Sequence, residues 1–403
     1  GGGGGLTQGG VYLILGGMGK VGLMLARYLS VDVRAHVILV GRSELPKKDR
    51  WEDWIREKGD EDEVSKKIKK LMETEHGVEV EIKIADVCDE DQMRRVIDEV
   101  YERYGHLNGV IHAAGAAGEK VFRLIPEMDD EESRSQFESK VYGLYVLENV
   151  LEGREIDFCM LFSSNASILG GIGLSGYSSA NLFMDAFAAS RSKKDGKVWI
   201  SANWDGWLRG DEDRLTGAFR TSMDQYAMTP FESVEAFKRV ATMSTCSQVI
   251  VSTGDLFKRL DLWINNRGAS RSSNSNRNEP PGVHARPALD SDYVAPSDEI
   301  QMTIARIWQE QLGIDRLGIN DNFFELGGNS LIGLKIISLL RKELGVEIPI
   351  VALFEGPTVS ALARVISSDG KQGESYEENR GRGERRRARR LRKPPAAKDA
   401  RNT

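Results

Sequence analysis

Short apolar runs rich in valine and isoleucine recur between Val11 and Leu260: VYLIL, HVILV, VEIKI, GVIHA, FCMLF, VWISA and QVIVS. Longer stretches with helical spacing separate them. Strands alternating with helices in this way predict an α/β fold with a parallel, doubly wound sheet of about seven strands. The pattern then stops. From Asn265 the chain reads NNRGASRSSNSNRNEPPGVHARPALDSD, with almost no periodic apolar residue, so residues 265–296 are expected to form a flexible linker. Apolar residues return with helical spacing at Ile300, Ile304, Ile307 and Trp308, then at Leu331, Leu334 and Ile337. Residues 297–366 are therefore expected to make a small all-helical domain. Residues 367–403, which include RGRGERRRARRLRK, are expected to form an exposed, basic, polar tail.

Composition narrows the classes. A chain of 403 residues with 40% hydrophobic residues has room for two or three domains with real cores. The formal net charge is −6, unevenly spread. Residues 371–403 hold 12 Lys/Arg and 5 Asp/Glu, a net +7, which leaves −13 on the other 370 residues. An acidic body argues against nucleic acid as a partner. Cys88, Cys159 and Cys246 are dispersed and odd in number, which suits a reducing cytoplasm without disulfides and offers no metal site. No apolar run reaches the length of about 18 residues that a membrane span needs, and no secretory signal is visible. The expected location is cytoplasmic. The opening GGGGG is set aside from the fold argument.

Chemistry enters at the end of the first strand. GGMGKVG, Gly16 to Gly22, follows that strand and opens a helix. Glycines there allow a tight turn and close approach of the backbone to a pyrophosphate, which the helix N-terminus attracts. Gly16, Gly17, Met18, Gly19 and Gly22 are thus expected to hold a dinucleotide in a Rossmann-type site. The second strand ends VILVGRS. Arg42 and Ser43 stand where a site for NAD usually has an acid, which suits the 2′-phosphate of NADPH. Asp86 and Val87, after the third strand, are placed for the adenine. Ala113, Ala114 and Gly115, in HAAG, end the fourth strand beside the expected nicotinamide ribose.

Residues 161–187 read LFSSNASILGGIGLSGYSSANLFMDAF. Ser164 and Tyr177 have the spacing with which many carbonyl reductases hold and protonate a substrate oxygen. Those enzymes also use a Lys one helical turn past the Tyr, and here that place is Asn181. A lysine stands instead at Lys140, in FESKVYG, on the helix before the serine-bearing strand, where such reductases commonly carry Asn. From there an ammonium can reach the Tyr hydroxyl and is expected to lower the Tyr pKa from its reference near 10.

This exchange, together with GGMGKVG, VGRS, ADVCD, HAAG, LFSSNAS, GYSSAN and NWDGW, resembles the ketoreductase domains of modular polyketide synthases, within the short-chain dehydrogenase/reductase superfamily. The resemblance covers residues 10–264. It implies that Ser164, Tyr177, Lys140 and Asn181 are the catalytic tetrad, and that a β-carbonyl is reduced at the expense of NADPH. Two positions depart from the family: Leu15 replaces a usual Thr, and Lys20 a usual Gly or Ala. Neither marker of product handedness is present, since Ala117-Gly118-Glu119 stands where one class has Leu-Asp-Asp and Leu169 where the other often has Trp. The family also carries a structural subdomain ahead of the first strand; its absence implies a piece of a larger synthase.

DNFFELGGNSLIGLKIISLL places Ser330 at a helix start after Gly327-Gly328. By itself Ser330 reads equally as a helix N-cap. The stretch resembles the attachment motif of acyl and peptidyl carrier domains, a four-helix fold, with SDEIQMTIARIWQEQLG and IPIVALFEGPTVSALARVI flanking it over residues 297–366. The resemblance implies a covalent 4′-phosphopantetheine on Ser330, installed by a phosphopantetheinyl transferase, a carrier-bound β-ketoacyl substrate, and other synthase modules as partners. The basic tail resembles the charged segments between modules. Two rivals stand beside this reading: a free-standing short-chain carbonyl reductase, and an inactive reductase fold serving as a scaffold beside a working carrier.

Overall fold

A computed structural model of the chain describes residues 5–74, 77–115, 125, 128–171, 173–192, 197–208, 226–243, 245–263, 284–287, 289, 292–328, 330–346, 348 and 352–367. Ala117-Gly118-Glu119 and the basic tail lie outside the described residues. The chain divides into two compact units, the second drawn mainly from residues 272–403.

In the first unit the seven apolar runs form seven parallel strands: β1 (Val11–Leu15), β2 (His36–Gly41), β3 (Val80–Ile84), β4 (Leu107–His112), β5 (Ile156–Ser164), β6 (Trp199–Trp204) and β7 (Gln248–Ile250). Their order is β3-β2-β1-β4-β5-β6-β7. The chain winds outward through β2 and β3, then returns to place β4 against β1. That reversal opens a crevice at the carboxyl ends of the central strands, where doubly wound sheets bind ligands. Central strands are buried on both faces and so read as continuous apolar runs; all five residues of β1 are buried.

Helices cover both faces. Those that matter for the site are α1 (Lys20–Arg27), α2 (Asp130–Phe137), α3 (Gly143–Val150), the short α4 (Ala166–Leu169) and α5 (Ser175–Arg191). A five-residue π-helical turn, Glu138–Tyr142, joins α2 to α3. Below α5, Met184, Phe187 and Ala188 pack into one core layer with Leu15, Val110, Cys159 and Leu161. On the other face Tyr12, Ile14, Leu39, Phe158 and Phe162 pack with Leu25, Leu29 and Trp204. Leu15, one of the two residues that depart from the family pattern, is wholly buried in the first of these layers.

The second unit contains helices α6 (Glu299–Leu312), α7 (Ser330–Leu344), α8 (Ala352–Glu355) and a further helix over 359–367. Asp298 caps α6, its carboxylate accepting from the Gln301 amide, and Gly313 closes it in the left-handed conformation with φ 68°. Ile304, Ile307, Trp308, Phe323, Ile336, Ile337, Leu340, Leu353 and Leu362 form the core, with Trp308 and Phe323 edge to face at 5.1 Å.

The described part of the stretch read as a linker, 265–296, is bonded to this unit. The His284 amide donates to the Gly313 carbonyl and the His284 carbonyl accepts from the Asp315 amide. Arg286 donates twice to the wholly buried Asp321, at 2.7 and 2.6 Å. The Ile319 amide donates to the Val294 carbonyl. Among the described residues, a charge-assisted fork, backbone bonds and the Arg286 amide on the Asp315 carboxylate hold this segment, and none of these leaves a periodic apolar signal.

Among the described residues no helix is long and apolar enough to cross a membrane.

Candidate active site

The turn after β1 is built on close backbone contacts. Gly16 has φ +74°, and a Cβ on it would lie 2.7 Å from the Ala113 carbonyl oxygen and from the Ala114 backbone. A Cβ on Gly22 would meet the Gly17 backbone at 2.5 Å, so α1 lies directly against the turn. Gly19 is the N-cap of α1 and has no side chain to satisfy the first-turn amides, which leaves the positive end of the helix for an anion. Lys20, the first residue of α1, is exposed there. Ala113 is tied to the turn by its amide, which donates to the Leu15 carbonyl at 2.9 Å. Gly16, Gly17, Met18, Gly19, Gly22, Ala113 and Ala114 thus meet at one edge.

Arg42 and Ser43 leave the end of β2 exposed. The Arg42 guanidinium stands 3.8 Å from the Asp86 carboxylate. The Asp86 carboxylate also accepts from the Cys88 amide, while the Asp86 amide donates to the Gln92 side chain. Val87 is buried beside Gly143.

The four tetrad residues come from three elements. Ser164 is the last residue of β5, and its Oγ accepts from the Ala166 amide at 3.1 Å. Tyr177 and Asn181 lie one turn apart on α5, and the Asn181 side-chain Nδ2 donates to the Tyr177 carbonyl at 2.8 Å. Lys140 sits on the π-turn, in a position frequently found at functional sites. It is buried, and its Nζ donates to the Phe162 carbonyl and to Asn181 Oδ1, both at 3.0 Å, with Met184 Sδ at 3.6 Å. Gly115 clears the way for it: a Cβ there would meet Lys140 Cε at 2.8 Å. The Lys140 Nζ lies 5.8 Å from the centre of the Tyr177 ring. The lysine has therefore moved in sequence and still arrives beside the tyrosine.

Its electrical effect differs from the expectation. Burial pushes the Tyr177 phenol above its usual value, and hydrogen bonds with Ser164 and Asn181 act in the other direction. The net shift is therefore upward and not the expected lowering: burial is the largest influence on the phenol, although Lys140 Nζ lies 5.8 Å from the ring centre. Burial instead pulls the Lys140 ammonium down to about 8, with Asp185 opposing. His112, buried at the end of β4 with Nε2 2.9 Å from the Ser139 carbonyl, is pushed down to about 4, by burial first and then by Lys140. A buried amine titrating near neutrality can pass a proton at physiological pH.

The sequence reading missed Asp185. Tyr177, Asn181 and Asp185 stand at successive four-residue intervals, one polar stripe along a mostly apolar helix face. That spacing was the available signal. It also left NWDGW without roles. Asn203 lies in a buried polar network with Asp185, Trp204 stacks on Phe162 at 5.0 Å, and Asp205 pairs with the buried Arg259 at 2.8 Å.

In the second unit, Ser330 opens α7. Gly327 ahead of it has φ +89°, and a Cβ on Gly328 would strike Phe323 at 2.5 Å. Both glycines are required by the backbone that leads to Ser330.

The first unit brings Tyr177, Lys140 and Asn181 together with the Ser164 end of β5 on a doubly wound sheet that carries a glycine turn, and the second is a helical domain with Ser330 at a helix start. Residues 10–209 match the sequence profile of the KR domain, and residues 303–366 that of the phosphopantetheine attachment site. The chain belongs with the modular polyketide synthases, as a ketoreductase domain followed by a carrier domain. It is 26% identical over 382 residues to polyketide synthase PksM of Bacillus subtilis, covering 91% of this chain and 8% of that protein. It is 27% identical over 372 residues to 6-methylsalicylic acid synthase of Aspergillus terreus, covering 87% and 20%. The chain thus spans a small part of the curated relatives it matches. A ketoreductase domain from the bacillaene assembly line superposes with a TM-score of 0.50 at 32% identity, covering 63% of this chain and 58% of that one. An N-terminal ketoreductase from the macrolactin assembly line gives 0.51 at 27%, covering 64% and 48%. The KR domain implies NADPH as cofactor, and the attachment domain implies a covalent 4′-phosphopantetheine. The glycine cradle, with no room for a Cβ and an uncapped helix start, fits the first; the glycine-led serine at the start of α7 fits the second.

Proposed function

We propose that the first unit reduces the β-keto group of an acyl thioester carried by the second unit to the β-hydroxyl. The convergence of Ser164, Tyr177, Lys140 and Asn181 at the edge that carries the glycine turn supports this reading. Bound NADPH supplies the hydride. The Ser164 hydroxyl donates to the carbonyl oxygen as negative charge gathers there, and the Tyr177 hydroxyl gives that oxygen its proton. Asn181 fixes the tyrosine's own carbonyl and the lysine at once. Lys140, held near neutrality by burial, returns a proton to the tyrosine.

NADPH is preferred over NADH in this reading because Arg42 and Ser43 replace an acid at the end of β2. A phosphopantetheinyl transferase loads Ser330, and neighbouring synthase modules supply the acyl chain in a reducing cytoplasm. Carriage on a tether lets the pocket work at high local concentration without tight binding of free substrate.

The test is NADPH consumption by the loaded protein with a β-ketoacyl thioester. Tyr177→Phe should nearly abolish turnover and leave NADPH binding intact. A Tyr177→Phe protein that turns over at the wild-type rate would overturn the assignment.

A further inference from the structure

We propose that Asp185 is a positioning residue of the reductase site: it anchors the Ser164 end of β5 through Ser167 and Asn203, and supplies the negative charge behind Lys140. This rests on the reductase reading.

The carboxylate is buried, with 5% exposure. Ser201 Oγ donates to Oδ1 at 2.6 Å, and Ser167 Oγ and Asn203 Nδ2 donate to Oδ2 at 2.8 and 2.9 Å. All three partners are neutral. Two of them also lie within reach of the Ser164 carbonyl, Ser167 Oγ at 2.9 Å and Asn203 Nδ2 at 3.2 Å, so the single Ser167 proton and the two on Asn203 Nδ2 are shared between that carbonyl and the carboxylate. Asn203 further donates to Ser163 Oγ, which in turn donates to the Asn181 carbonyl at 3.3 Å. A single carboxylate therefore ties β6, α4, the end of β5 and α5 into one frame around the tetrad.

Charge points the same way. A buried carboxylate surrounded by neutral dipoles is costly unless a cation lies near. Lys140 is a buried cation whose own partners, the Phe162 carbonyl, Asn181 and Met184, are also neutral. Met184 is the residue before Asp185. The ionisable groups that face Lys140 are His112 from β4 and Tyr177 and Asp185 from α5. His112, titrating at about 4, and Tyr177, above its usual value, are both neutral at pH 7. Asp185 is thus the group among them that favours the ammonium, against the burial that disfavours it.

Asp185→Asn keeps the shape and lets the Ser201 hydroxyl turn from donor to acceptor. Two measurements on the full chain follow. The titration of Lys140, read from the NMR signals of 13C-lysine-labelled protein, should move below about 8, because the opposing charge is gone. The turnover number at neutral pH should fall by about 10- to 100-fold, the loss that a slightly misplaced catalytic group produces, with little change in NADPH affinity. Ser167→Ala removes the anchor and leaves the charge, so it should lower turnover without moving the Lys140 titration. An Asp185→Asn protein with wild-type turnover and an unmoved Lys140 titration overturns the proposal. Should that variant not fold, an unchanged turnover number in Ser167→Ala overturns it. The titration needs no substrate. Absence of turnover in the wild type would therefore sink the reductase reading and leave the Asp185–Lys140 result standing.

Discussion

Replacing Lys140 by methionine separates its catalytic role from its structural one. The substitution removes two hydrogen bonds of 3.0 Å, to the Phe162 carbonyl and Asn181 Oδ1. Each buried acceptor left without a donor costs about 1–3 kcal/mol. Against this stands the cost of keeping an ammonium in the interior. A fall in pKa from 10.5 to about 8 corresponds to roughly 3 kcal/mol at 1.4 kcal/mol per unit. The two effects oppose each other and are of similar size, so Lys140→Met should fold with a melting temperature close to that of the wild type. Activity should behave differently. At pH 7 a group titrating near 8 is still about nine-tenths protonated, and a wild-type enzyme that needs the ammonium should lose rate as pH rises through 8. Lys140→Met should lose on the order of 10²–10⁴ in turnover, the usual worth of a proton-transfer group. Its remaining alkaline limb should move to higher pH, towards that of Tyr177, which lies above its ordinary value. The assay is NADPH consumption across a pH series, with melting curves on the same samples. A variant that keeps the wild-type rate and the limb near 8 would show that Lys140 takes no part in proton transfer.

Two further outcomes are expected. Arg42→Ala should weaken NADPH by about 10- to 100-fold, the worth of charge-assisted bonds to a phosphate, and NADH far less; equal losses in fluorescence titrations would show that Arg42 does not read the 2′-phosphate. Ser330→Ala, incubated with coenzyme A and a phosphopantetheinyl transferase, should gain no mass by intact-protein mass spectrometry, and the same added mass as in wild type would place the attachment elsewhere.

The sheet was legible because β1, β2, β4 and β5 are buried on both faces and therefore read as unbroken apolar runs, while the reversal between β1 and β4 follows from strands alternating with helices. The glycine turn was legible because Gly16 and Gly22 admit no Cβ, a constraint written directly into residue type. The exchange of lysine and asparagine was legible as residue types, but not its consequence. Periodicity cannot show a π-turn, and it is the π-turn that sets Lys140 with its protons on the Phe162 carbonyl and its charge against the tyrosine ring. The direction of the Tyr177 shift is set first by burial, which residue spacing does not carry. The segment ahead of α6 fails for a related reason. Among the described residues its hold on the small domain includes Arg286 on Asp321 and Asp315 and backbone bonds at His284 and Val294, and a chain held by polar pairs looks, in sequence, like a chain held by nothing.

Asp185 shows where the remaining information lay. Along α5 the polar residues Tyr177, Asn181 and Asp185 fall on one line, and two of the three were recognised because they belong to a known catalytic pattern. The third belongs to no such pattern, and an acid near the middle of a helix ordinarily faces water. Here its neighbours Met184, Phe187 and Ala188 are core residues, so the line faces inward and the acid must be solvated by the protein. Ser201 and Asn203 on β6, which read in sequence as polar interruptions of a buried strand, are the residues that do so. Each of these three polar side chains is costly alone in an apolar layer, and together they satisfy one another. A buried acid, an interrupted strand and a displaced lysine are therefore parts of a single arrangement, in which neutral groups supply the hydrogen bonds found among the described residues to both the carboxylate and the ammonium.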